Sequence, residues 1–117
     1  KDKIREYITS RYGYDLDRSY EFLNRTYGWD SSCQGTVPEA IIAFLESDDF
    51  EDAIRKAVSM GGDSDTLACI TGGIAEAYYK VIPNHIAASV WSLLPESLRE
   101  IVLAVSEKTS YGRVFSI

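Results

Sequence analysis

Between Thr36 and Val81 the chain carries helix start and stop signals in close succession and no run of alternating apolar and polar residues. Thr36-Val37-Pro38-Glu39 puts a hydroxyl at a cap position, a proline in the first turn and a glutamate three residues on, the pattern of a reciprocally capped helix. Val37, Ala40, Ile41, Phe44 and Leu45 then share one face, which predicts a helix through Leu45. Asp49 is placed to cap a second helix over 51–59, with Phe50, Ala53, Ile54, Ala57 and Val58 as its apolar face. Gly61 and Gly62 supply its stop. Thr66 to Val81 reads as a third helix, small and apolar over its first half. Gly72 and Gly73 inside it each cost about 1 kcal/mol relative to Ala, which predicts close backbone approach by a neighbouring helix.

The flanks extend the same pattern. Ile4, Tyr7, Ile8 and Tyr12 recur at helical spacing before Gly13. Residues 14–35 have no clean period and are rich in Tyr, Asp, Ser and Gly, predicting an ordered loop with a helical turn near Ser19 to Asn24. Beyond Pro83, a short helix over Ile86 to Trp91 and another from Glu96 to about Lys108 are expected, with Pro95 between them. The tail over 111–117 carries no assignable pattern. The expectation is therefore all-α, an orthogonal bundle of five or six helices forming a single domain over 1–117.

Composition narrows the partners. A net charge of −6, with Lys and Arg scattered, disfavours a nucleic-acid surface. No apolar run is long enough for a membrane helix, and the charged start Lys1-Asp2-Lys3 is no secretory signal. Cys33 and Cys69 lack metal or redox spacing and sit among small or apolar neighbours, so reduced core thiols and a cytoplasmic location are expected. The absence of an initiator Met fits either a trimmed chain or a piece of a longer protein.

Gly61-Gly62-Asp63-Ser64-Asp65-Thr66 concentrates two carboxylates and two hydroxyls where one helix stops and the next starts. Like charges repel unless a cation lies between them. The oxygens are hard donors suited to Mg²⁺, Mn²⁺ or Ca²⁺ rather than zinc. The alternative is simpler: one acid caps the following helix, where the macrodipole favours negative charge, and the other is solvated. An EF-hand is ruled out because Leu67 and Ala68 follow where further oxygens and a glycine are needed. A phosphatase of the aspartyl-phosphate type is ruled out by the polar segment before the acids, where that site has a buried strand.

This hexapeptide, with the small-residue helix Leu67 to Tyr79 behind it and "SSCQGTVPEAIIAFLESDDFEDAIRKAVSMGG" before it, resembles the ADP-ribosylglycohydrolase family from about Asp30 to Pro95. The resemblance implies an all-α fold with a two-metal Mg²⁺ or Mn²⁺ site that hydrolyses the bond between ADP-ribose and an acceptor, a protein side chain or a small molecule. It implies Asp63, Asp65 and Thr66 as metal ligands, with Asp65 as the bridge. Gly61, Gly62 and Ser64 would shape the loop around ions and substrate, and Gln34 and Gly35 would approach the substrate. The family's other ligands come from an N-terminal glycine-rich "G-x-x-x-G-D" helix and a Thr-Asp-Asp cluster, neither of which occurs here. The chain thus resembles the C-terminal half of such a fold, completed by a homodimer or by an N-terminal half.

Other chemistry-bearing residues have plainer readings. His85, at a helix start far from the acids, reads as a surface or cap residue, and Glu39 is explained by its capping position. The Tyr and Trp residues at 12–29 serve packing, or stack on an adenine ring.

Overall fold

A computed structural model describes residues 1–109, and the tail over 111–117 lies outside the described residues. The described residues form seven helices and no strand: α1 (Asp2–Tyr12), α2 (Tyr20–Thr26), α3 (Cys33–Leu45), α4 (Phe50–Ser59), α5 (Ser64–Tyr79), α6 (Asn84–Leu93) and α7 (Glu96–Lys108). The chain divides into two compact units, Lys1–Tyr79 and Lys80–Ile117.

In the first unit, α3, α4 and α5 pack on one another in all three pairings, and α2 joins α3. The centre is α3, whose residues from Pro38 to Leu45 are all buried because neighbours cover more than one of its faces. Ile42, Phe44 and Leu67 are fully buried, each contributing roughly 1.5–3 kcal/mol by leaving water. Thr71 is also fully buried, and its hydroxyl donates to the Ala40 carbonyl at 2.9 Å, which satisfies a polar group at the α5–α3 contact. The Lys1 side chain donates to the Phe44 carbonyl at 3.0 Å and to the Tyr79 hydroxyl at 2.6 Å, placing a cation at the C-terminal end of α3.

Several boundaries follow the sequence signals. Gly13 ends α1 at φ +70°, Ser19 caps α2 by accepting from the Phe22 N–H, and Asp49 caps α4 by accepting from the Asp52 N–H. The start of α3 does not. Ser32 is the cap, accepting from the Gly35 N–H, so the helix begins three residues before Thr36. Thr36 and Glu39 are buried inside it and make no capping box: Thr36 donates to the Asp30 carbonyl, and Glu39 is paired with Arg18. An earlier cap won because Ser32 follows Asp30, whose carboxylate accepts the Ser32 N–H and turns the chain into the helix.

Three further expectations are corrected. Cys33 and Cys69 are free but exposed rather than core thiols. No residue of α1 is buried, and Tyr7 and Tyr12 of its apolar stripe stand 63% and 61% exposed. A Cβ on Gly72 would meet the Ile54 Cδ1 of α4 at 3.0 Å, a side-chain rather than backbone approach, and nothing lies within 4 Å of one on Gly73.

In the second unit, Pro83 and Pro95 stand at the caps of α6 and α7. Arg99 joins the two helices, donating to the Ser92 carbonyl at 3.1 Å with its guanidinium over the Trp91 ring. His85 lies exposed in the first turn of α6.

Candidate functional site

The acid-rich corner is built by two connections of the first unit. Helix α4 ends at buried Met60, and Gly61 and Gly62 follow at φ +79° and +62°, backbone angles that L side chains rarely adopt. They turn the chain so that α5 starts at Ser64, two residues earlier than the spacing predicts. Asp63 therefore stands at the cap position, its carbonyl accepting from the Leu67 N–H at 3.0 Å, and Asp65 and Thr66 lie in the first turn.

The second wall is the α2–α3 connection. A Cβ on Gly62 would stand 2.7 Å from Tyr27 Cε1 and 2.8 Å from the Gly28 carbonyl oxygen. A Cβ on Gly35 would collide with the Asp30 carboxylate, 1.9 Å from one oxygen. Gly35 and Gly62 thus touch the same short segment, 27–30, from α3 and from the α4–α5 turn. Gln34 is exposed in the first turn of α3.

Electrostatics concentrates negative charge here. A side-chain hydrogen bond with Asp63 holds the Asp65 carboxyl below its ordinary value, helped by the Thr66 N–H, which donates to Asp65 at 2.9 Å. Burial raises the Tyr27 phenol, and so do the Glu39, Asp30 and Asp63 carboxylates around it, against a lowering influence of the Thr36 side chain. The Asp30 carboxyl is lowered by hydrogen bonds from Ser32.

Asp63 and Ser64 are half-buried at this corner, and Asp65 and Thr66 are exposed. Among the described residues no group of three or more His, Cys, Asp or Glu side chains is arranged to hold a metal.

Comparison with known proteins bears on this corner. The sequence model of ADP-ribosylglycohydrolase matches residues 2–112. The chain belongs to the ADP-ribosylglycohydrolase family. An uncharacterized protein of Archaeoglobus fulgidus is 36% identical over 76 residues, covering 64% of this chain and 25% of that protein. A protein of Acanthamoeba polyphaga mimivirus named "Putative ADP-ribosyl glycohydrolase L543" is 46% identical over 67 residues, covering 53% of this chain and 19% of its own length. The chain thus spans a quarter or less of these two relatives. No solved structure matches it at a significant level. The helical structure agrees with the all-α fold expected of an ADP-ribosylglycohydrolase.

Arg18 was not singled out by the sequence reading, and Glu39 was read as a helix cap rather than as the buried partner of Arg18. One signal was available: Glu39 interrupts an otherwise apolar run, from Pro38 to Leu45, that is too long for one amphipathic stripe. A carboxylate there is buried and needs a cation, and Arg18 is that cation.

Proposed function

We propose that this chain supplies one part, the C-terminal part, of a Mg²⁺- or Mn²⁺-dependent site that hydrolyses the glycosidic bond between ADP-ribose and an acceptor. Membership of the ADP-ribosylglycohydrolase family supports hydrolysis of this class. The observation that carries the metal reading is the grouping of Asp63, Asp65 and Thr66 at the cap position and first turn of α5, where a hydrogen bond with Asp63 lowers the Asp65 carboxyl. These hard oxygens fit a small divalent ion. When bound, such an ion would polarise ribose oxygens and favour ionisation of a water.

The chain's own residues hold and orient. Asp63, Asp65 and Thr66 would ligate the ion, Asp65 as the bridging ligand of a two-metal site. Gly61, Gly62 and Ser64 would let the backbone come close to the substrate, and Gln34 and Gly35 would contact it from α3. The remaining ligands would come from an N-terminal half of the same fold or from a second copy. An open apolar groove of about 440 Å³, lined by Ile4, Phe44, Gly73, Ile74, Ala77 and Tyr78, fits such an added helix. The working compartment would be the cytoplasm, where the two free thiols stay reduced. No helix of the described residues is long and apolar enough to cross a membrane.

A second reading, a catalytically inactive metal- or ADP-ribose-binding module, is favoured because no group of three or more His, Cys, Asp or Glu among the described residues is arranged to hold a metal. Titration with Mg²⁺ or Mn²⁺ should raise the melting temperature and shift the amide signals of Asp63, Asp65 and Thr66, with no effect in Asp65→Ala. Absence of both changes at millimolar ion overturns the metal reading. Release of ADP-ribose from a modified substrate, assayed with the N-terminal half present, separates enzyme from module. Activity there that Asp65→Ala leaves intact overturns the bridging role.

A further inference from the structure

Groups at the ends of α3 and α5 surround one ammonium from several sides, and that ammonium belongs to Lys1. Its Nζ donates to the Phe44 carbonyl at 3.0 Å, to the Tyr79 hydroxyl at 2.6 Å and to the Ser47 carbonyl. The same nitrogen stands 4.9, 5.6 and 5.0 Å from the ring centres of Phe44, Tyr78 and Tyr79. Three acceptors match the three N–H bonds of an ammonium, and three rings face its charge.

The acceptors are set up by hydrogen bonds of their own. The Ser47 hydroxyl donates to the Phe44 carbonyl at 2.6 Å, and the Tyr79 hydroxyl donates to the Ser47 carbonyl at 2.7 Å. Both hydroxyl protons are thus spent inside the cluster, and its oxygens offer only lone pairs to a newcomer. A group that donates and cannot accept, which is what an ammonium is, matches them. A carboxylate or phosphate would meet lone pairs and the negative faces of the rings. Phe44 is fully buried and Ser47 is 5% exposed, whereas Tyr78 is 47% exposed and leaves one side open to solvent. Phe44 and Tyr78 also line the apolar groove of about 440 Å³, where an alkyl stem can lie. Helix α1 buries none of its residues, so Lys1 can withdraw without pulling side chains of α1 out of the core.

We propose that Phe44, Ser47, Tyr78 and Tyr79 form a binding site for a primary alkylammonium, closed in this state by Lys1 acting as an intramolecular ligand. The proposal is independent of the metal reading, since its probe needs no divalent ion.

The test is an NMR titration of the whole chain with n-butylammonium in metal-free buffer at constant ionic strength. In Lys1→Ala the probe should give saturable shifts at the Ser47 and Tyr79 amides, while neutral n-butanol gives none. In the wild type, where Lys1 competes from the same chain, binding should be weaker by roughly tenfold or more. Tyr79→Phe in the Lys1→Ala background removes one acceptor and should weaken binding about tenfold, the worth of a hydrogen bond to a charged group. A wild-type measurement decides the matter if Lys1→Ala misfolds: n-butylammonium that displaces Lys1 should speed hydrogen exchange of the α1 amides, and n-butanol should not. Nα-acetyllysine methylamide binding at least as tightly as n-butylammonium assigns the ligand to a protein side chain; weaker binding assigns it to a small free amine. Absence of saturation in folded Lys1→Ala, an equal response to n-butanol, equal affinity in Lys1→Ala and wild type, or unaltered α1 exchange in the wild type overturns the proposal.

Discussion

Gly62 and Tyr27 are in such close contact that a single added carbon on the glycine would stand 2.7 Å from the tyrosine ring. Through this contact the turn before the acid pair is seated on the α2–α3 connection, 35 positions earlier in the chain. Gly61, its neighbour, shares the positive φ, +79° against +62°, but has open space around it.

Substitution of the two glycines should separate strain from packing. Gly61→Ala forces a side chain into the left-handed region at a cost of about 1–2 kcal/mol. Gly62→Ala adds a collision with the Tyr27 ring and the Gly28 carbonyl, so its loss should exceed that of Gly61→Ala by roughly 1 kcal/mol or more. Urea denaturation of both variants measures the difference, and equal losses would mean that the contact carries no weight.

The Thr71 hydroxyl joins α5 to α3 through the Ala40 carbonyl. Thr71→Val keeps the shape and removes the donor, which should lower stability by about 1 kcal/mol. Thr71→Ser keeps the donor but loses a methyl from a fully buried site. Comparing denaturation midpoints of the two variants with the wild type apportions the hydrogen bond and the packing.

Arg18 neutralises a carboxylate that is almost fully enclosed. Arg18→Ala should cost roughly 2–3 kcal/mol, less than for a fully buried pair because Arg18 is itself part exposed. Arg18→Ala with Glu39→Gln should recover part of that loss, since the uncompensated charge is gone. A double-mutant cycle by chemical denaturation tests the coupling; strict additivity would show none.

Asp52 gives the molecule a readable acid response. Burial pushes its carboxyl up, but the Lys56 ammonium and the Asp48 N–H outweigh this and hold it below the ordinary value. The folded value lies below the unfolded one, so the stabilisation is complete above about pH 4–5 and is lost as pH falls through the folded value. Asp52→Asn should lower stability at neutral pH and make its decline below about pH 4 shallower than in the wild type. Melting curves at stepped pH measure both effects.

How much was legible in the sequence depended on the range of the interaction. Helix starts and stops at Ser19, Asp49, Gly13 and Gly61-Gly62 were readable, because a cap or a left-handed residue acts on backbone groups a few positions away. The α3 start failed for the same kind of reason: two local caps competed, and Ser32, set by the Asp30 turn, prevailed over Thr36.

The sequence by itself determined that the chain is helical, where Asp63, Asp65 and Thr66 fall along it, and the family resemblance that the comparison bears out. Only the tertiary structure decided that Glu39 is a buried ion-pair partner of Arg18 and that Gly35 and Gly62 meet one segment. It also decided that both cysteines face outward. These depend on contacts between residues far apart in the chain, and such contacts form only when helices pack; no local propensity encodes them.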